Sequence, residues 1–157
     1  MVLAAGRGER LRPLTDTTPK SLIEVGGQSL LERHLEHIKA AGIDTVVINL
    51  GWLGERIAER VGSGHAYDLN VIYSPEGDNI LETGGGIHRA LPLLGNEPFL
   101  VVNADVFTDM PLPPAELFRP VGRIQLAAGV VTQITISNRK TDGFVIVDAL
   151  RILPVQE

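Results

Sequence analysis

Cysteine is missing from this sequence altogether. Without it neither disulfides nor thiolate metal sites can form, and nothing points to an oxidising compartment. No Lys/Arg-rich run occurs either, and with a net charge of −5 the chain lacks the broad basic surface that grips nucleic acid. Apolar runs are too short to cross a bilayer, and the start has no basic region followed by an apolar stretch and a small-residue cleavage site. These absences lead us to expect a soluble cytoplasmic protein with neither nucleic-acid nor membrane partners. Internal repeats and low-complexity segments are absent as well. A length of 157 residues then suits one domain, 1–157, large enough to bury a core.

Strand and helix signals alternate through the first hundred residues, which favours an α/β sheet with crossover helices. Met1 to Ala5 reads as a central strand. Ser29 with Glu32 makes a capping box, and Leu31, Leu35, Ile38 and Ala41 form one apolar face before Gly42 ends the helix. Thr45 to Asn49 is a β-branched strand, Leu53 to Val61 a short helix closed by Gly62, and Val71 to Ser74 a further strand. From Thr83 three consecutive glycines lead into a helix bearing Ile87, Ala90 and Leu91, and Phe99 to Asn103 is a buried strand. Asp105 lies just past its carboxyl end, where open α/β sheets bind ligands. Prolines 111, 113, 114 and 120 mark a change of texture. Beyond them residues 119–157 read as a divergent, β-rich tail with strands at 124–131 and 144–147.

The most informative stretch runs from Leu3 to Lys20 and joins the first strand to a glycine-bearing loop with spaced cations. Gly6 and Gly8 carry no side chain to hold off an anion, so main-chain N–H groups can point at phosphate oxygens. Arg10, Arg12 and Lys20 supply the charge. A dinucleotide fingerprint is excluded because Leu11 stands where the third glycine belongs, and no Gly-Lys-Ser/Thr completes a P-loop. The plainer alternative is that the two glycines only turn the chain while the arginines face solvent.

The full string Leu-Ala-Ala-Gly-Arg-Gly-Glu-Arg-Leu-Arg-Pro-Leu-Thr followed by Pro19-Lys20 resembles the signature of the sugar-1-phosphate nucleotidyltransferases. Residues 48–54, 74–77 with 81–87, and 102–109 are similar to the N-acetylmuramate-1-phosphate uridylyltransferases of cell-wall recycling, so the resemblance covers residues 2–118. It implies a Rossmann-like, GT-A-like three-layer α/β/α fold with a mostly parallel central sheet, shortened at the C-terminus. It also implies that a sugar 1-phosphate attacks the α-phosphorus of a nucleoside triphosphate, UTP in the subgroup, and releases pyrophosphate. Because the nucleophile is already an anion, alignment and charge neutralisation suffice and no serine or histidine base is needed.

On this resemblance the backbone of Ala4, Ala5, Gly6 and Gly8 lines the nucleotide site, Arg10 meets the β- and γ-phosphates, and Lys20 reaches the α-phosphate or the reacting oxygens. Thr83, Gly84 and Gly85 resemble the segment on which a pyrimidine lies, the competing reading being a bare helix start. Asp105 resembles the carboxylate that holds Mg2+, while Asp109 either joins it or caps the next segment. His34 and His37 are expected to face water. Trp52 either packs or stacks on a ligand, and His65 and His88 have no interpretable context. The family's second metal carboxylate usually stands in an Asp-x-Gly-Thr setting, a tetrapeptide this sequence does not contain; Asp142, Asp148 and Glu157 are the alternatives, and nothing in the sequence places them at the site. Three readings follow: an active uridylyltransferase-like enzyme, a nucleotide-binding module that has lost turnover, and a structural α/β domain. Pyrophosphate release and UTP binding separate them.

Overall fold

The computed structural model describes residues 1–77, 81–97, 99–109 and 112. The expected tail strands and the three distal carboxylates lie outside these residues. A parallel four-stranded sheet forms the centre, with β1 at Val2–Leu3, β4 at Thr45–Leu50, β5 at Asn70–Pro75 and β6 at Val102–Asn103, in the spatial order β5-β4-β1-β6. A separate hairpin pairs β2, Glu24–Val25, with β3, Gln28–Ser29. Among the described residues three α-helices connect and cover these elements: α1 at Leu30–Ala40, α2 at Gly54–Val61 and α3 at Glu82–Leu94.

The two faces of the sheet follow from the period of two along each strand. Val2, Ala4, Val46 and Ile48 point to one face, where Leu31, Leu35 and Ile38 of α1 and Ile57 and Val61 of α2 bury them. Met1 and Val47 point to the other, against Ile87 and Ala90 of α3. Burial on both faces explains why the central strands read as continuous apolar runs rather than alternating ones. The arrangement is the α/β/α layering expected from the sequence.

Helix α1 begins where expected. The Ser29 side chain accepts from the Glu32 amide at 3.2 Å, and the Glu32 carboxylate accepts from the Ser29 amide at 3.1 Å. Glu32 does more than cap, because Arg60 donates to it at 2.8 and 3.2 Å and the Tyr67 hydroxyl at 2.9 Å. The Arg60 guanidinium, opposed by some desolvation, holds the Glu32 carboxyl down to about 2. α1 is thereby tied to α2 across the cap.

Several expectations shift at their edges. The helix expected from Leu53 starts at Gly54, with Leu53 at its cap in a left-handed conformation. The first strand is regular only over Val2–Leu3 and the last over Val102–Asn103, although the Met1 carbonyl still accepts from the Val102 amide at 3.0 Å. The β2–β3 hairpin was not expected. Its turn, Gly26-Gly27, has positive φ at both residues, the geometry a two-residue hairpin loop requires, but strands of two residues carry no readable period.

Candidate active site

In the order β5-β4-β1-β6 the connection runs outward from β1 in both directions, and open sheets bind ligands at such a switch point, beyond the carboxyl ends of the strands. A cleft of about 690 Å3 opens there. Of the expected site residues, Ala4, Ala5, Gly6, Gly8, Arg10, Lys20, Thr83 and Asp105 line it. Gly84 and Gly85 do not. They follow Thr83 in the first turn of α3, where a Cβ on Gly85 would meet Leu81 Cβ at 2.8 Å. Arg12 also stays away from the cleft and pairs with Asp16 at 3.3 Å, while Arg7, which had no assigned role, lines the cleft beside Arg10 and Lys20.

The loop after β1 is held from behind. The Ala5 carbonyl accepts from the Trp52 amide at 3.2 Å, the Trp52 indole N–H donates to the Thr15 carbonyl at 2.9 Å, and the Thr15 hydroxyl donates to the Gly8 carbonyl at 2.9 Å. Gly8 sits at φ +64°, and a Cβ there would approach Thr15 Cγ2 at 3.0 Å and Lys20 Cβ at 3.1 Å. Glycine is therefore required both by the left-handed conformation and by the close approach of Lys20. The amides of Gly6, Arg7 and Gly8 donate to no acceptor among the described residues. Three consecutive unpaired amides beside a cleft form an anion-binding concavity. The Ala4 amide is not among them, since it donates to Asn49 Oδ1 at 2.6 Å.

Lys20 and Asp105 meet across the cleft, the Lys20 ammonium donating to the Asp105 carboxylate. Both are partly exposed, so each is open to exchange this partner for a ligand. Helix α1 fixes the residues that follow Asp105: His34 Nε2 donates to the Val106 carbonyl at 2.8 Å and the Arg33 guanidinium lies 5.0 Å from the centre of the Phe107 ring. His34 is thus buried rather than facing water, and burial pushes its pKa down. His37 is half-buried, with Nδ1 unpartnered among the described residues. The correction at His34 has a plain cause: the segment after Asp105 folds over that face of α1, a contact that helix periodicity cannot reveal. Trp52 packs with its indole bonded to Thr15 and under the Arg7 guanidinium, 5.4 Å from the ring centre. Asp109 is exposed and does not line the cleft.

Asn49, Glu76, Glu82 and Asn103 also line the cleft and had no assigned role. A signal was available for Asn49, which is a polar residue inside the apolar strand Thr45–Leu50 and so an anomaly that burial makes informative. Glu76 follows a strand end and carries no such mark.

A doubly wound sheet whose switch point carries free loop amides, a lysine and a carboxylate is an arrangement able to receive a phosphate ester. The Nucleotidyl transferase family model matches residues 1–149, and the chain belongs to this family. It is 59% identical over 110 residues to the N-acetylmuramate alpha-1-phosphate uridylyltransferase of Neisseria meningitidis serogroup B, covering 70% of this chain and 48% of that protein. To the protein of the same name from Caulobacter vibrioides it is 42% identical over 107 residues, covering 67% and 44%. The chain therefore spans about half the length of these curated relatives. A solved structure of UDP-glucose pyrophosphorylase with UDP-glucose superposes with a TM-score of 0.58 at 26% identity, over 70% of this chain and 47% of that one. Among the described residues, no helix is long and apolar enough to cross a membrane.

Proposed function

We propose that this chain is a sugar-1-phosphate nucleotidyltransferase domain that transfers a uridylyl group from UTP to N-acetylmuramate 1-phosphate and releases pyrophosphate. We read residues 1–157 as a single domain acting in the cytoplasm, in the recycling of cell-wall peptidoglycan. The observation that carries the reading is the meeting of the Gly6–Gly8 amides, Lys20 and Asp105 at the ends of β1 and β6. The identity with two uridylyltransferases supports the choice of base and sugar.

In this reading a sugar-phosphate oxygen attacks the α-phosphorus, and the bond to the bridging oxygen of the β-phosphate breaks. No proton has to move. The free amides and Arg10 receive the β- and γ-phosphate charge, and Lys20 leaves Asp105 for the α-phosphate, where charge builds in the transition state. Thr83, at the start of α3, lies against the uracil, while Gly84 and Gly85 stand behind it in the first turn of the helix. Asp105 offers one hard oxygen donor, and among the described residues no group of three or more His, Asp or Glu forms a cage. That donor set fits Mg2+, which binds through one or two carboxylates plus substrate phosphates. When bound it neutralises phosphate charge.

The test is pyrophosphate release from UTP and N-acetylmuramate 1-phosphate with magnesium chloride, beside calorimetric titration of UTP and a thermal scan with each nucleoside triphosphate. Turnover with selective stabilisation by UTP is expected. Binding without turnover leaves the nucleotide-binding module; no stabilisation by any triphosphate refutes the nucleotide reading.

A further inference from the structure

Two buried polar side chains connect the halves of the cleft. Asn49 is 3% and Glu76 6% exposed. Asn49 stands in register with Leu3 on the neighbouring strand and accepts the Ala4 amide on Oδ1 at 2.6 Å, where β1 gives way to the loop. Its Nδ2 donates to Glu76 Oε1 at 2.7 Å. Glu76 Oε2 accepts the Leu81 amide at 2.7 Å, immediately before α3. The Glu76 amide itself donates to the Leu50 carbonyl at 2.8 Å, which fixes its backbone to β4. Gly86 of α3 presses on the pair so closely that a Cβ would lie 2.6 Å from Glu76 Oε1 and 2.9 Å from Asn49 Nδ2.

No cation pairs with Glu76 among the described residues. A buried carboxylate satisfied only by an amide side chain and a backbone N–H is a costly way to hold a fold, because apolar residues fill the same volume without the desolvation penalty. What the arrangement does supply is a fixed distance. It runs without a gap from the root of the phosphate-facing loop to the root of the helix that begins with Glu82 and Thr83, both of which line the cleft. We propose that Asn49 and Glu76 are positioning residues that set the phosphate-binding loop and the base-facing turn of α3 at the separation one nucleotide spans. The inference rests on the nucleotide reading of the cleft and deepens it: the pair touches no reacting atom and acts through Ala4 and Leu81.

Donor and acceptor polarity provides the test. In Glu76→Gln the new amide has one acceptor oxygen for two donors, Asn49 Nδ2 and the Leu81 N–H, so one link is lost. In Asn49→Asp two carboxylates face each other. The double variant Asn49→Asp/Glu76→Gln reverses the central bond while keeping both backbone links: the aspartate accepts from Ala4 and from the glutamine NH2, and the glutamine oxygen accepts from Leu81. Calorimetry with UTP and, separately, inorganic triphosphate, each with magnesium chloride, reads the effect. Loss of one charged hydrogen bond from the link is expected to weaken UTP binding by E76Q about 10-fold or more. Inorganic triphosphate, which touches only the loop, should bind within about 3-fold of wild type, and the double variant should recover most of the UTP affinity. A folded E76Q that binds UTP like wild type overturns the proposal, as does a folded double variant that recovers nothing. Absence of UTP binding by the wild type removes the nucleotide reading itself and the positioning role with it.

Discussion

Replacing Gly86 by alanine sets two known magnitudes against each other at one atom. Residue 86 is inside α3, where alanine exceeds glycine in helix propensity by about 1 kcal/mol, so propensity alone makes Gly86→Ala stabilising. The added methyl, however, falls 2.6 Å from Glu76 Oε1 and 2.9 Å from Asn49 Nδ2. Neither atom can withdraw freely, since the two are bonded to each other and held by Leu81 and Ala4 on their far sides. Making room opens the Asn49–Glu76 bond and strands buried polar groups, at about 1–3 kcal/mol each. With two groups stranded and about 1 kcal/mol gained from propensity, the expected net result is destabilisation by about 1–5 kcal/mol, or a fall in Tm of roughly 2–20 °C for a chain of this size. Gly84→Ala is the matched comparison on the same helix, with nothing within 4 Å of its added Cβ. It should be neutral or stabilising by up to about 1 kcal/mol. Urea unfolding followed by far-ultraviolet circular dichroism compares the three proteins. A Gly86→Ala variant as stable as Gly84→Ala would refute the claim that the buried pair is rigidly held.

Glu32 gives a pH prediction. Its folded pKa of about 2 lies below the ordinary 4.5, so its contribution is complete above about 4.5 and is lost as pH falls towards 2. Arg60→Met should flatten the dependence of urea-unfolding stability on pH within that window while leaving its shape above pH 5 unchanged. Under the proposed function, Lys20→Arg should lower kcat for pyrophosphate release by about 100-fold or more, because a forked guanidinium crowds a position built for a compact charge; steady-state kinetics checks this. Arg10→Ala should weaken UTP about 10-fold or more and leave UMP unchanged, as expected for a group meeting only the β- and γ-phosphates; paired calorimetric titrations decide it.

The parts of the fold legible in the sequence were those in which one local pattern decides the outcome. Ser29 and Glu32 at the spacing of a capping box, followed by Leu31, Leu35 and Ile38, leave α1 little choice. The β-branched run at Thr45–Leu50 likewise becomes a strand buried on both faces. Most of the expected cleft residues could be found because they come from a single continuous loop whose spacing is itself the signal. What escaped was long-range. His34 looks solvated until the segment after Asp105 crosses α1, and Arg12 looks like a phosphate ligand until Asp16 takes it. Asn49 and Glu76 are 27 residues apart, and only the parallel pairing of β4 with β5 makes them neighbours. Register between strands is not written in either strand alone.

This division has a physical reason. The groups that face the cleft, the Gly6–Gly8 amides, Arg10, Lys20 and Asp105, lie on loops at the ends of strands, where backbone can be left unpaired without breaking a ladder. Left to themselves such loops are mobile, and under the proposed function, which depends on alignment, a displacement near 1 Å is costly. Each loop is therefore tied to a rigid neighbour by a polar bond remote from the cleft. Trp52 holds Thr15 and through it Gly8; His34 holds Val106 beside Asp105; Asn49 holds Ala4. All three holders come from or beside helix α1 and strand β4, the best-buried elements of the sheet and its first helical layer. Precision at the cleft is thus borrowed from the core, and a substitution at a holder should shift ligand affinity well before it unfolds the chain.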